Sequence, residues 1–379
     1  MTDRSTVTIQ PVHKRPQWRA FHDFPRRVYA GDPAWVPPLK KTLQSRWHRQ
    51  RPWRQHAEVA AWLAMRGKTV VGTISAQLDE RSVDPARGKV GYFGQFETLN
   101  EGGIAQALVD AACTWLKQRG CQWVSGPFDL NINEMCGLLV EGFETPPMIM
   151  MPHHPRYYAR LLTQTGLSEE MALWAYRIPP NFSPPKTMAR LQARDGQRIS
   201  LRPIDRSRYR DELELLRTLF NDAWQDNWGF VPFSASEFLA LGRELRPLLN
   251  RDYAAIAFVD EAPAGFIIAL PNLNEITQGF NGRLWPANAV KLIYALATHQ
   301  FTSARVPLMG VAQRFQRGPL GALVAFSMID AVRHPLHAHG VKTVEMSWIL
   351  ETNQGMNRLI DSIGGERYKT YQIYGKSLG

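Results

Sequence analysis

The chain has no run approaching the roughly 18 uninterrupted apolar residues that a membrane-spanning helix needs. Behind Met1-Thr2-Asp3-Arg4-Ser5 there is also no apolar segment ending in small residues, so a secretory signal is not expected. Cytoplasmic residence is expected instead, with at most peripheral contact at the inner membrane. Cysteine is scarce: Cys113, Cys121 and Cys136 are odd in number and lack C-x-x-C spacing, which excludes a disulfide framework and a zinc ribbon. They read as small buried apolar residues. Acidic residues are also under-supplied, 34 against 45 Lys and Arg, and the net charge of +11 favours an anionic partner. Nucleic acid, anionic lipid, a phosphorylated small molecule and an acidic protein all satisfy that condition.

What is present is a globular composition, 44% hydrophobic with 12 Trp and 17 Phe. A length of 379 residues suits two domains. The chain also reads as a repeat. Thr6 to Val12 is echoed by Ile199 to Asp205, a short alternating strand before a charged helical stretch. Each half then shows a hairpin: Glu58–Met65 with Val70–Leu78, and Tyr253–Val259 with Gly265–Leu270. A further strand follows, Tyr92–Leu99 or Val306–Ala312, and leads into an amphipathic helix. The stripes are Ile104, Leu108, Val109, Ala112, Trp115, Leu116 and Leu320, Leu323, Val324, Met328, Ile329, Val332. A strand, a short helix stopped by Gly166 or Gly364-Gly365, and a final strand close each copy.

The order β-α-β-β-β-α-β-α-β therefore occurs twice, an α/β class with two tandem domains, each a central mixed sheet flanked by helices. Proline-rich Pro179 to Pro185 separates the copies. The expected organisation is an N-terminal domain over 1–180, a linker over 181–196 and a C-terminal domain over 197–379.

At the start of the second copy's long helix stands Gln316-Arg317-Gly318-Pro319-Leu320-Gly321. Such a turn aims backbone N–H groups from a helix N-terminus at phosphate. With the strand order, it resembles the Q/R-x-x-G-x-G/A signature of the GNAT acyltransferase superfamily, with Pro319 in place of the first glycine. Proline has no N–H to donate, so one cradle contact is lost or passes to Gly318. The resemblance implies acyl-CoA or an acyl carrier protein thioester as donor, without metal. Arg314 and Arg317 would meet phosphates, Ala322 follows the loop, and a backbone N–H near Gly310 or Val311 would face the thioester oxygen. The first copy has Asn100-Glu101-Gly102-Gly103 at this place, a carboxylate where phosphate would sit, and is not expected to bind coenzyme A in the usual way.

The first half, with Phe93-Gly94-Gln95-Phe96-Glu97, Gly126-Pro127 and Glu141-Gly142-Phe143, is similar to a bacterial group of tandem GNAT proteins. Some members look like the N-acyltransferases of bacterial ceramide synthesis. The implied reaction is direct attack of a neutral amine, lipid-like and including sphingoid bases, on a long-chain acyl thioester. The alternative is a non-catalytic acyl-thioester- or membrane-binding module.

Direct transfer needs a base and an oxyanion donor. Glu351, just past a strand and followed by Asn353 and Asn357, is the favoured base. Glu97, among aromatic neighbours that would raise its pKa, is the rival if the acceptor enters from the N-terminal half. The resemblance implies a tyrosine on the last helix to protonate the leaving thiolate, but none lies between Met356 and Ile363, so Tyr371 or Tyr374, or solvent, would serve. The irregular Asn131–Tyr158 segment supplies the acceptor-binding candidates Asn131, Asn133, Glu141, Met151, Tyr157 and Tyr158.

Other signals are set aside. His334, His337 and His339 fall where a helix should end and complement its dipole better than they suggest a metal. His153-His154 reads as an exposed pair. Arg46, Trp47, His48, Arg49, Arg51, Trp53 and Arg54 form a basic-aromatic cluster suited to carrier-protein docking, and nucleic acid rests on this cluster and net charge alone.

Overall fold

Near-continuous β-rich, mostly buried runs on either side of Gly67 build the first hairpin of a computed structural model. It describes residues 6–47 and 51–379, the side chains of Lys41, Gln44 and Arg46 excepted. Strands β1 (Val7–Pro11), β2 (Ala57–Arg66) and β3 (Thr69–Asp79) run antiparallel, with Gly67 at φ 59° supplying the turn. After the short β4 (Val83–Asp84), β5 (Gly88–Thr98) pairs antiparallel with β3 and parallel with β6 (Trp123–Gly126). A parallel pair needs a crossover. The helix Gly102–Lys117 provides it, burying Ile104, Leu108, Val109, Ala112 and Leu116. Each of the Ile, Leu and Val side chains contributes about 1.5–3 kcal/mol on full burial. Strand β7 (Leu138–Glu141), the helix Tyr158–Gln164 and β8 (Ser168–Ile178) follow.

The second copy repeats the pattern. Strands β9 (Ile199–Pro203), β10 (Ala254–Val259), β11 (Ala262–Pro271) and β12 (Ser303–Val311) are antiparallel neighbours. The β10–β11 turn places Asp260 and Glu261 at φ 48° and 67°, the left-handed pair that a tight hairpin requires. Helices Tyr209–Trp224 and Ala235–Leu245 precede β10, and the helix Ala287–Ala297 precedes β12. Then come the helix Pro319–Ala338, β13 (Thr343–Leu350) parallel to β12, the helix Gln354–Ser362 and β14 (Glu366–Ser377).

The chain forms two compact units that do not follow sequence order. The N-terminal unit comprises Met1–Leu173, Phe280–Arg283 and Lys369–Gly379; the C-terminal unit comprises Trp174–Gly279 and Leu284–Tyr368. Most of the last strand, β14, therefore belongs to the N-terminal unit, where Tyr374–Ser377 pair with β6 and Thr370–Gln372 with β7. The second half of β8, Trp174–Ile178, belongs to the C-terminal unit. Residues 186–195, read above as linker, form the helix Lys186–Asp195 instead. Good helix formers follow Pro185, and Met188 packs on the C-terminal unit's core.

Candidate functional sites of the two units

In the C-terminal unit, β12 and β13 pair in parallel only from Ser303–Val306 against Thr343–Met346. Pro307, which has no N–H, sits at an irregularity in the β11–β12 register. Beyond it the two strands run on without pairing to each other. At the far end of β12, Gln316 Nε2 donates to the carbonyls of Val311 and Ala223, both at 2.8 Å, and ties the turn to the preceding helix. Gly318 precedes the helix at φ 81°, with open space where a Cβ would stand. Pro319 takes the first helical position, where its missing N–H costs no intrahelical bond. The next N–H groups, of Leu320, Gly321 and Ala322, have no carbonyl of the helix to bond. Gly321 is buried, and a Cβ there would collide with the carbonyls of Phe315 and Gln316. Gln316 to Pro319 are thus exposed at the head of a 20-residue helix, with Gly321 buried beneath them.

The side chains expected around it separate into two groups. Arg317 is exposed, and Arg314 is also exposed while donating to the Pro263 carbonyl at 2.9 Å. Glu351 is exposed beyond β13, and Asn353 caps the following helix by accepting from Met356 N at 3.1 Å. Asn357, by contrast, is buried. Its amide donates to the carbonyls of Leu350 and Glu351, and its oxygen accepts from Tyr176. It holds the strand end in place rather than facing a ligand. Trp224 Nε1 donates to the Met309 carbonyl at 3.3 Å, occupying one backbone group on the parted stretch of β12.

Tyr374 is not part of this unit. It is buried in the N-terminal unit opposite Gly126, because β14 has crossed into that sheet.

In the N-terminal unit the corresponding gap is filled by its own chain. Pairing of β5 with β6 covers Val90–Tyr92, after which Phe128 N donates to the Phe93 carbonyl at 2.8 Å. Gln77 Nε2 donates to the Phe128 carbonyl at 2.7 Å. Gly94 is required here, since a Cβ would run into Phe128. A bulge at Gln95, φ 46°, then re-aims the strand. Glu101 stands before the helix Gly102–Lys117 and is ion-paired to Arg66 at 2.6 Å.

Two residues past the bulge is Glu97. Tyr158 donates to its Oε2 at 2.7 Å while accepting from Thr98 N at 2.9 Å. The Tyr29 hydroxyl lies 3.2 Å from Oε1 and 2.9 Å from the His153 carbonyl. A hydroxyl has one proton. If Tyr29 gives it to His153, the contact with Glu97 calls for a proton on the carboxyl. Burial agrees, pushing the Glu97 pKa up to about 8 against the pull of both tyrosines. Behind Tyr29, His153 Nε2 meets Asp32 Oδ2 at 2.9 Å, and its buried Nδ1 has no hydrogen-bond partner among the described residues.

The histidine pair is therefore not exposed. His153 is buried, and His154 accepts from Leu139 N at 3.1 Å with its pKa pushed down by burial to about 3. Tyr29 and Asp32 carry no signal in the sequence, and His153 reads there only as half of an exposed pair. Tyr29 is 68 residues from Glu97 and Asp32 is 121 from His153, so no local pattern joins them.

Among the acceptor-binding candidates, Tyr158 is fully buried and acts on Glu97, and Tyr157 donates to the Thr98 carbonyl at 2.7 Å. Asn131 is buried and accepts from Asn133 N, Met151 is buried, and Glu141 accepts from Thr370 at 2.5 Å. These fix the loop. A groove of about 1160 Å³ lies on the other side of Tyr29, lined by Trp18, Trp35, Leu43 and Trp47 with Arg15, Arg19, Arg26 and Lys40. Trp35 stacks on Tyr29 at 4.9 Å and 6°. Of the basic-aromatic cluster, Trp47 and Trp53 are core residues, whereas His48, Arg49 and the Arg46 side chain lie outside the described residues.

The acetyltransferase (GNAT) family model matches residues 21–127. Over 95% of its length the chain is 39% identical to Protein YghO of Escherichia coli K12, covering 93% of that protein. It is 36% identical to the bacterial ceramide synthase of Caulobacter vibrioides, over 98% of both chains. The chain belongs to the GNAT acyltransferase family. The tandem GNAT protein from the clavulanic acid biosynthesis pathway shares the fold at a TM-score of 0.58, with 14% identity over 99% of each chain. As a GNAT protein this chain is an N-acyltransferase, and acyl thioesters are the family's donors. Among the described residues no helix is long and apolar enough to cross a membrane, and no His, Cys, Asp and Glu cluster could hold a metal.

Proposed function

We propose that this GNAT protein transfers a long-chain acyl group from acyl-CoA or an acyl carrier protein to the amine of a lipid-like acceptor. The observation that carries this reading is the Gln316–Gly321 turn, exposed from Gln316 to Pro319, heading a long helix beside two parallel strands that stop pairing. The 36% identity to a bacterial ceramide synthase supports an amphiphilic amine, sphingoid bases included, as the acceptor. The amphipathic groove beside Tyr29 suits such a molecule.

In the reaction the neutral amine attacks the thioester carbon, the C–S bond breaks, and the amine's proton passes to a base while the thiolate takes one up. Glu97 is the candidate base of the N-terminal unit, because a carboxylate with its pKa near 8 accepts a proton far better than an ordinary one. Glu351 is the rival in the unit that holds the turn. Arg314, Arg317 and the N–H groups of Gly318, Gly321 and Ala322 would receive donor phosphates.

Thiol release from palmitoyl-CoA, followed across a panel of long-chain amines with mass spectrometry of the products, tests the proposal. Expected is an N-acylated amine, with turnover about 100-fold lower in Glu97→Gln and near normal in Glu351→Gln. No amide product from any thioester and amine would overturn the reading, and the reverse ranking would move the base to Glu351.

A further inference from the structure

The helix Ala287–Ala297 is packed inside out. It buries its small residues Ala289 and Ala295 and leaves large apolar ones in solvent. Val290 is 69% exposed, Ile293 65% and Tyr294 59%, and Trp285 just before the helix is 66% exposed. Among the described residues six large hydrophobic side chains are strongly exposed, and four of them fall within this single ten-residue stretch. Positions 290, 293 and 294 follow the i, i+3, i+4 spacing of one helical face. An ordinary surface helix of a water-soluble protein has the opposite arrangement, so an apolar environment must cover this face.

Charge narrows what covers it. From Ile276 to Ile329 the sequence contains no Asp or Glu, while Lys291 stands among the exposed residues, between Val290 and Ile293. Trp and Tyr are the side chains that settle at a membrane–water interface, with the ring among acyl chains and the polar atom in the headgroups. Eleven residues span about 16 Å, too short to cross a bilayer and suited to lying in its plane.

We propose that Trp285, Val290, Ile293 and Tyr294 form a docking face for the surface of an anionic phospholipid bilayer, with Lys291 at the headgroup level. The C-terminal unit that carries this face also carries the Gln316–Gly321 turn. The proposal stands on the exposed helix alone and is measured without thioester or amine.

Flotation of the full chain with vesicles of phosphatidylglycerol and phosphatidylcholine tests it. Expected is binding that rises with the phosphatidylglycerol fraction, weakens with salt, and falls roughly tenfold or more in Val290→Ser/Ile293→Ser. Lys291→Glu, which leaves the apolar face intact, should lower binding to anionic vesicles only. Circular dichroism of each variant confirms folding. No binding to anionic vesicles, or equal binding by folded variants, would overturn the proposal. So would a wild-type dimer in sedimentation that Ile293→Ser converts to monomer, because a second copy of the chain would then cover the face.

Discussion

At Glu97 one carboxyl links pH to stability and to rate. Its pKa stands at about 8 when folded against an ordinary 4.5, so between those values the folded chain holds a proton that the unfolded chain has released. The stabilisation is complete below about 4.5 and is lost as pH rises through about 8. His154 acts in the other direction. Burial depresses its pKa from 6.5 to about 3, so its contribution is present above 6.5 and is lost as pH falls. Glu97→Gln should therefore gain thermal stability relative to the parent at pH 8.5 and little at pH 5, as thermal melts at the two pH values would show. If Glu97 is the base, log kcat/KM of the parent should climb with slope one toward a pKa near 8. Tyr158→Phe should lower kcat while leaving the donor KM nearly unchanged. The perturbation of Glu97 was legible from Phe93 and Phe96 beside it in sequence. The hydroxyls of Tyr29 and Tyr158 that hold it were not, since they arrive from 68 and 61 residues away.

At the scale of elements, the phosphate turn depends on one absent side chain. Gly321→Val would push against the carbonyls of Phe315 and Gln316 and deform the head of the helix. Its expected signature is a donor KM raised at least about tenfold, together with a stability loss of about 1–3 kcal/mol, read from initial rates and urea unfolding. Gly318→Ala meets no neighbour but must hold φ 81°, at a cost of about 1–2 kcal/mol. Elements of this kind were readable because their signals are local: β-rich runs around the turn between β2 and β3, the stripe of Gly102–Lys117, and proline at the first turn of Pro319–Ala338. The helix Lys186–Asp195 was obscured by the prolines before it, and the helix Ala287–Ala297 by its reversed polarity.

Across the whole molecule, the repeated strand order and the tandem GNAT fold agree. What the repeat could not disclose is the destination of its last strand, because β14 carries the same alternation whichever sheet receives it. In the N-terminal unit it brings Tyr371, Ile373 and Tyr374, all buried, and Lys369, whose ammonium donates to the carbonyls of Gly142 and Thr145. A fragment ending at residue 180 should therefore fail to fold, and removal of residues 369–379 should collapse the N-terminal unit. Limited proteolysis and near-ultraviolet circular dichroism report both outcomes, and a stable, cooperatively melting 1–180 fragment would contradict them.

Ribosomes make proteins from the N-terminus at about 5–20 residues per second. The first unit of this enzyme must wait, with a vacant sheet edge, for residues 369–379 to leave the exit tunnel. During that interval, on the order of tens of seconds, it is a natural client for a chaperone, and a premature stop codon just before residue 369 would damage a unit made long before it.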